Sequence, residues 1–155
     1  IAKKLNNTPA INDYEILVRV SNLHIDSNSW RELKLSNNNN AEILKEVIWK
    51  KIHGDGKMHN WQTNSGGMLI GKVEKIGKLY ATNINIGDEI ASLVSLTLTP
   101  LQLHNIKSID MANGIIEVDA QAVLFNSSPF AKLPSTLDNQ LCLAALDVCF
   151  TSTDR

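Results

Sequence analysis

Gly71-Lys72-Val73-Glu74-Lys75-Ile76-Gly77, followed ten residues after its last glycine by Gly87-Asp88-Glu89-Ile90, is the stretch on which the fold turns. Strand-forming residues stand between glycines that permit tight turns, and Asp88 can cap a turn through its own carboxylate. Outward from it, strand-like segments are predicted at residues 69–76, 90–98, 115–118 and 122–125, with Gly71, Gly77, Gly87 and Gly114 as punctuation. Upstream, residues 14–20 alternate, with Tyr14, Ile16, Val18 and Val20 on one face and Glu15 and Arg19 on the other, which is the period of a half-buried strand. Many short strands joined by glycine turns predict a mainly β chain with short helices, curled into a closed or nearly closed barrel.

Two helices are expected. Leu44, Val47, Ile48 and Lys51 recur at three and four residues behind Asn40, a plausible cap, so residues 41–51 read as a short amphipathic helix after the turn-prone run 37–40, ended by Gly54-Asp55-Gly56. Leu137, Leu141, Ala144, Ala145 and Val148 form a second stripe, with Ser135 as its cap and Asp138 three residues on. The polar stretch from Lys57 to Gly67 reads as an ordered loop.

Composition narrows function. The 155 residues fit one domain, and 43% hydrophobic with 20% charged residues is ordinary for a globular protein. A net charge of −1 gives no field to recruit nucleic acid or an anionic membrane. No apolar run approaches the roughly 20 residues of a membrane span, and the opening Ile1-Ala2-Lys3-Lys4 has no signal-like core, so a cytoplasmic protein is expected. An opening without Met and an ending at Asp154-Arg155 just after an apolar segment suggest two cuts in a longer chain. Cys142 and Cys149 are seven apart on the expected helix, about 10 Å along its axis, which predicts free thiols and a poor zinc pair.

The opening signature resembles the G-x-V-x-x-[IV]-G…G-D-x-[VI] pattern of the GroES-like domain in medium-chain dehydrogenases. Five further blocks narrow the resemblance to zinc-free 3,5-diaminohexanoate dehydrogenases: Leu23-His24-Ile25-Asp26-Ser27, Gly56-Lys57-Met58-His59-Asn60, Ser65-Gly66-Gly67-Met68-Leu69-Ile70-Gly71, Ser92-Leu93-Val94-Ser95-Leu96-Thr97-Leu98-Thr99-Pro100-Leu101, and Ala145-Leu146-Asp147-Val148. The resemblance runs from about Asp13 to Val148. It implies a GroES-like, partly open β-barrel over residues 1–150 as the substrate-binding domain. Residues 151–155 would then begin a crossover toward a Rossmann domain that this chain lacks.

A zinc alcohol dehydrogenase would place a cysteine where Asp26 stands and a His-Glu pair where Gly67 and Met68 stand, and nothing between Ser95 and Ala112 matches its four-cysteine lobe. No Gly-x-Gly-x-x-Gly follows a strand, so NADP or NAD would be bound mainly by the missing domain. The reaction that the resemblance implies is NAD(P)-dependent oxidative deamination of 3,5-diaminohexanoate to 5-amino-3-oxohexanoate, in lysine fermentation, with no zinc and in a homo-oligomer. That chemistry needs a proton acceptor, an anionic partner for the 5-ammonium and a cationic or dipolar partner for the carboxylate.

Asp26 is the first candidate for the ammonium or a proton relay, because it occupies the place of the zinc cysteine; a turn-capping aspartate is its plainer role. Ser27 would extend a relay or cap a turn. His59 has the near-neutral pKa that suits acid-base work, or it is a surface histidine bonded to a carbonyl. Lys57, Asn60 and Thr99 are candidates for substrate binding; a lysine is commonly just solvated, and Thr99 commonly caps a turn. Asp147 can fix an interdomain helix, and Trp30, Trp49 and Trp61 either line a pocket or pack in core and half-buried surface. Two other functions compete: a non-enzymatic GroES-like binding or oligomerisation module, since a barrel without a nucleotide domain has no hydride acceptor, and a different zinc-free enzyme of the quinone-reductase kind.

Overall fold

The computed structural model describes residues 1–80 and 83–134. Strand β1 spans Glu15–Ile25, α1 Ser27–Ser36, α2 Ala41–Asp55, β2 Gly67–Ile76 and β3 Glu89–Ser92; a 3-10 turn at Leu96–Leu98 precedes β4 Leu101–Asp110, β5 Ile115–Phe125 and β6 Phe130–Lys132. The six strands among the described residues form one antiparallel sheet in the order β4-β5-β1-β2-β3-β6. Among the described residues the sheet is not closed, because β4 and β6 remain its two edges. A mainly β, partly open architecture with short helices therefore holds, and full closure does not.

Strand β1 sits between β5 and β2 and changes its facing midway. Ile16, Val18 and Val20 point into the core, but a bulge between Val20 and Asn22 shifts the register against both neighbours. Leu23 and Ile25 then take the core positions, and Asn22 and His24 turn to the opposite face. One extra residue inverts the parity of everything after it. The shift sets where β1 delivers Asp26 at its end. Tyr14 lies before the strand and is 54% exposed, so it is not part of the buried face.

Both described helices cover the inner side of the sheet. Trp30 and Leu33 from α1, and Leu44, Ile48 and Ile52 from α2, join Ile16, Val18 and Leu23 in one core. Each fully buried aliphatic side chain of this kind contributes about 1.5–3 kcal/mol. The Asn40 side chain caps α2 through the amides of Glu42 and Ile43 at 3.0 and 3.1 Å, and Gly56 ends it in the left-handed conformation at φ 69°. The N-terminal arm runs over that end. Leu5 donates to the Asp55 carbonyl at 2.8 Å, and a β-carbon on Gly56 would collide with the Leu5 carbonyl.

Three expectations change. Residues 27–36, where no helix is expected, form α1 with Asp26 as its cap. The expected strand over 90–98 stops at Ser92, whose hydroxyl bonds both the amide and the carbonyl of Val94 and turns the chain before the 3-10 segment. The two segments at 115–118 and 122–125 are one strand, because Asp119 and Gln121 continue the alternation outward, where they meet Arg19 and Glu74. The expected helix after Pro134, with Cys142, Asp147 and Cys149, lies outside the described residues.

Candidate functional site

Asp26 leaves β1 and starts α1. Its backbone amide donates to the Gly66 carbonyl at 3.0 Å, and its Oδ1 accepts the Ser29 amide at 3.0 Å as the helix cap. Oδ2 is buried without a hydrogen-bond partner. A buried carboxylate oxygen left unpaired is costly, so this atom is a natural seat for a ligand's donor. Ser27 is exposed in the first turn of α1.

The loop over residues 57–66 is pinned to α1 by polar side chains. Ser29, Thr63 and Ser65 form a closed ring of hydroxyls, with Ser29 2.7 Å from each of the other two and those two 3.0 Å apart. Asn60 exchanges backbone hydrogen bonds with Ser65, its Nδ2 donates to Glu32 at 2.7 Å, and its Oδ1 accepts from the Gln62 amide at 3.0 Å. Hydrogen bonds from Ser36 and Asn60 hold the Glu32 carboxyl below its usual range. Asn60 is thus engaged at both ends of its amide.

His59 hangs from this loop, fully buried. Its Nδ1 lies 2.8 Å from Thr97 Oγ1, its Nε2 has no partner, and the Trp61 ring meets it edge-on at 4.2 Å. Burial, and then the Lys57 charge, push its pKa down from 6.5; the neighbouring Asn64 amide and Asp55 oppose that less strongly, and Lys51 adds a small push down. Gly66 makes the approach possible. A β-carbon there would stand 2.8 Å from Thr97 N, 2.9 Å from Thr97 Oγ1 and 2.9 Å from the Met58 carbonyl. Gly66 is therefore where Asp26, Thr97 and the His59 loop converge.

The remaining candidates hold the frame. Lys57 is fully buried, its amine donates to the Ala2 carbonyl, and it lies 5.4 Å from the Trp61 ring centre. Burial lowers its pKa, with Asp55 opposing. Thr99 is buried and donates to the Ser95 carbonyl at 3.0 Å. Trp30 is core, and Trp49 and Trp61 are partly exposed. Thr97 was not among the expected site residues, since a strand over 90–98 gave no reason to single it out. The available signal was Ser95 two residues earlier, whose Oγ accepts the Thr97 amide at 3.2 Å.

Pairing of Ile25 with Gly67 and of His24 with Met68 brings the positions of the zinc-ligand trio to one corner beside Asp26. A side chain at position 67 would collide with the His24 carbonyl, and Met68 is buried in a small apolar cluster. Among the described residues no group of three His, Cys, Asp or Glu could hold a metal ion. Gly54-Asp55-Gly56 closes the C-terminal end of α2, where the helix dipole is negative and disfavours a pyrophosphate.

Residues 1–134 match the family described as the L-erythro-3,5-diaminohexanoate dehydrogenase N-terminal domain. L-erythro-3,5-diaminohexanoate dehydrogenase of Fusobacterium nucleatum is 43% identical over 149 residues, and that of Acetoanaerobium sticklandii 41% over 149. Each alignment takes in 95% of this chain, and the chain spans 43% of the length of each relative. Among solved structures, CurK enoyl reductase aligns with a TM-score of 0.37 at 14% identity, covering 86% of this chain and 31% of that one. With the family match running from the first residue through the whole described sheet, this chain belongs to the L-erythro-3,5-diaminohexanoate dehydrogenase N-terminal domain family.

Proposed function

We propose that this chain is the substrate-binding part of an oxidoreductase that oxidatively deaminates 3,5-diaminohexanoate to 5-amino-3-oxohexanoate with NAD or NADP. The observation that carries the reading is family membership over residues 1–134, joined to a corner at Gly66 that gathers one unpaired carboxylate oxygen and the loop of one unpaired imidazole nitrogen. Asp26 Oδ2 is the anionic group for a substrate ammonium. His59 Nε2 is the group that takes the proton from the 3-amino nitrogen, which must be neutral before its carbon is oxidised. Loss of the C3 hydride to the oxidised nicotinamide nucleotide would leave an iminium; water adds to its carbon, the nitrogen takes up a proton, and the C–N bond breaks to give the 3-oxo group and ammonia.

No Gly-x-Gly-x-x-Gly fingerprint follows a strand among the described residues. The nicotinamide supplies the hydride acceptor when bound, and its binding residues belong, on this reading, to the length that the relatives have beyond this match. The reading also takes the enzyme to work without zinc, supported by the blocked position at Gly67, and to be a cytoplasmic homo-oligomer with residues 1–150 as a GroES-like domain. No described helix is long and apolar enough to cross a membrane.

The test is the intact protein incubated with 3,5-diaminohexanoate and each nucleotide, following reduced nicotinamide and ammonia together. Equimolar formation of the two is the expected result. No reduction with either nucleotide would refute the reading, and reduction of quinones in its place would favour the quinone-reductase alternative.

A further inference from the structure

We infer that Thr97 is a positioning residue for His59, its hydroxyl keeping Nδ1 partnered whichever way a proton moves at Nε2. The inference rests on the functional reading above and extends it to a residue which that reading leaves unassigned. A hydroxyl both donates and accepts. When the proton sits on Nε2, Thr97 donates to the bare Nδ1; when Nε2 is bare or the ring is charged, Nδ1–H donates to Thr97. A carbonyl or carboxylate at the same place would allow only the second arrangement and would fix one tautomer.

The geometry is built for this pairing. Thr97 Oγ1 has His59 Nδ1 at 2.8 Å as its hydrogen-bond partner, both residues are buried, and Nε2 is buried without a hydrogen-bond partner. Thr97 is held by its amide bond to Ser95 Oγ and presses on Gly66 at the place a β-carbon would fill. The ionisable groups that act on the ring are Lys57, Asp55 and Lys51; the first and last disfavour its charged form and Asp55 favours it. Thr97 is uncharged, so it can orient the ring without fixing its proton count.

The experiment compares Thr97→Val, which keeps shape and removes the hydroxyl, with Thr97→Ser, which keeps the hydroxyl. Histidine ring-nitrogen NMR and pH profiles of kcat and KM are recorded on the intact protein. The expected result for Thr97→Val is altered His59 ring-nitrogen shifts, a displaced acid limb, and kcat lower by roughly ten- to a hundredfold, with KM little changed. Thr97→Ser should restore all three. If Thr97→Val does not fold, Thr97→Ala carries the same expectation. Parent-like ring shifts and pH profile in the variant lacking the hydroxyl would overturn the inference, as would a Ser variant as impaired as Val. A parent with no turnover of 3,5-diaminohexanoate would refute the functional reading and leave the ring shifts to decide the pair.

Discussion

Asp26 holds the Ser29 amide with one carboxylate oxygen, at 3.0 Å, and leaves the other buried and unpaired. The two oxygens can be separated by substitution, because asparagine caps a helix about as well as aspartate while replacing the charged second oxygen by a neutral amide nitrogen that donates. Asp26→Asn should keep stability within about 0.5 kcal/mol of the parent, yet, on the proposed function and in the intact protein, weaken turnover of 3,5-diaminohexanoate by about 2–4 kcal/mol, the scale of one buried charge-assisted contact. Asp26→Ala should lose about 1 kcal/mol of stability as well. Denaturation midpoints and kcat/KM measured on the same preparations check both. An Asn variant with the parent's kcat/KM would leave Asp26 as a helix cap alone.

Gly66 tests whether the corner is packed as described. Two of the three atoms nearest a β-carbon there are backbone, Thr97 N at 2.8 Å and the Met58 carbonyl at 2.9 Å, so neither can swing away as a side chain would. Gly66→Ala should destabilise by about 1–3 kcal/mol, the usual range for overpacking. It should appear as a lower urea midpoint at an unchanged slope. A variant as stable as the parent would mean that Thr97 has room to retreat.

Helix α2 was legible because local signals agreed: an asparagine cap, apolar residues at three and four, and glycine at the end. It runs on through Gly54 to Asp55 and ends at Gly56, whose left-handed conformation is the stop. Helix α1 was not legible, since Ser27-Asn28-Ser29 reads as a turn and its inward face holds only Ser29, Trp30 and Leu33. Strand β4 was hidden by two register shifts, at Leu103/Asn105 and Ile106/Ser108, which break the alternation. In the candidate site, sequence blocks pointed to Asp26 and His59. Their convergence on Gly66 and Thr97 depends on contacts 38 residues apart in sequence, such as His59 to Thr97, which no local pattern encodes.

Lys57 gives a prediction about stability and pH. Burial lowers its folded pKa from the ordinary 10.5, more than Asp55 raises it. Between the lowered value and 10.5 the unfolded chain holds this proton and the native chain does not, so stability rises with pH through that window. Lys57→Met has no such proton. Urea midpoints from neutral to alkaline pH should show the parent gaining on the Met variant as pH approaches 10.5. Parallel curves would mean that the amine is not desolvated.

His59 carries the last prediction, in which the same lysine acts on rate. Burial is the main cause that lowers the His59 pKa below 6.5, and the Lys57 charge is the next. If neutral His59 is the base, kcat/KM should hold as pH falls to 6.5 and decline only below it, because the competent form persists down to the lowered pKa. His59→Gln should remove that limb and cost about 10²- to 10⁴-fold in rate, the usual contribution of a positioned base. Lys57→Gln removes a positive neighbour, so the imidazolium forms more easily and the acid limb should move up toward 6.5. The sign is what decides. A charge on Lys57 that served the substrate carboxylate would appear on removal as a higher KM with the limb in place, whereas one that acts through His59 moves the limb. A pH profile that keeps its acid limb in His59→Gln would assign the limb to another group and take the base role away from His59.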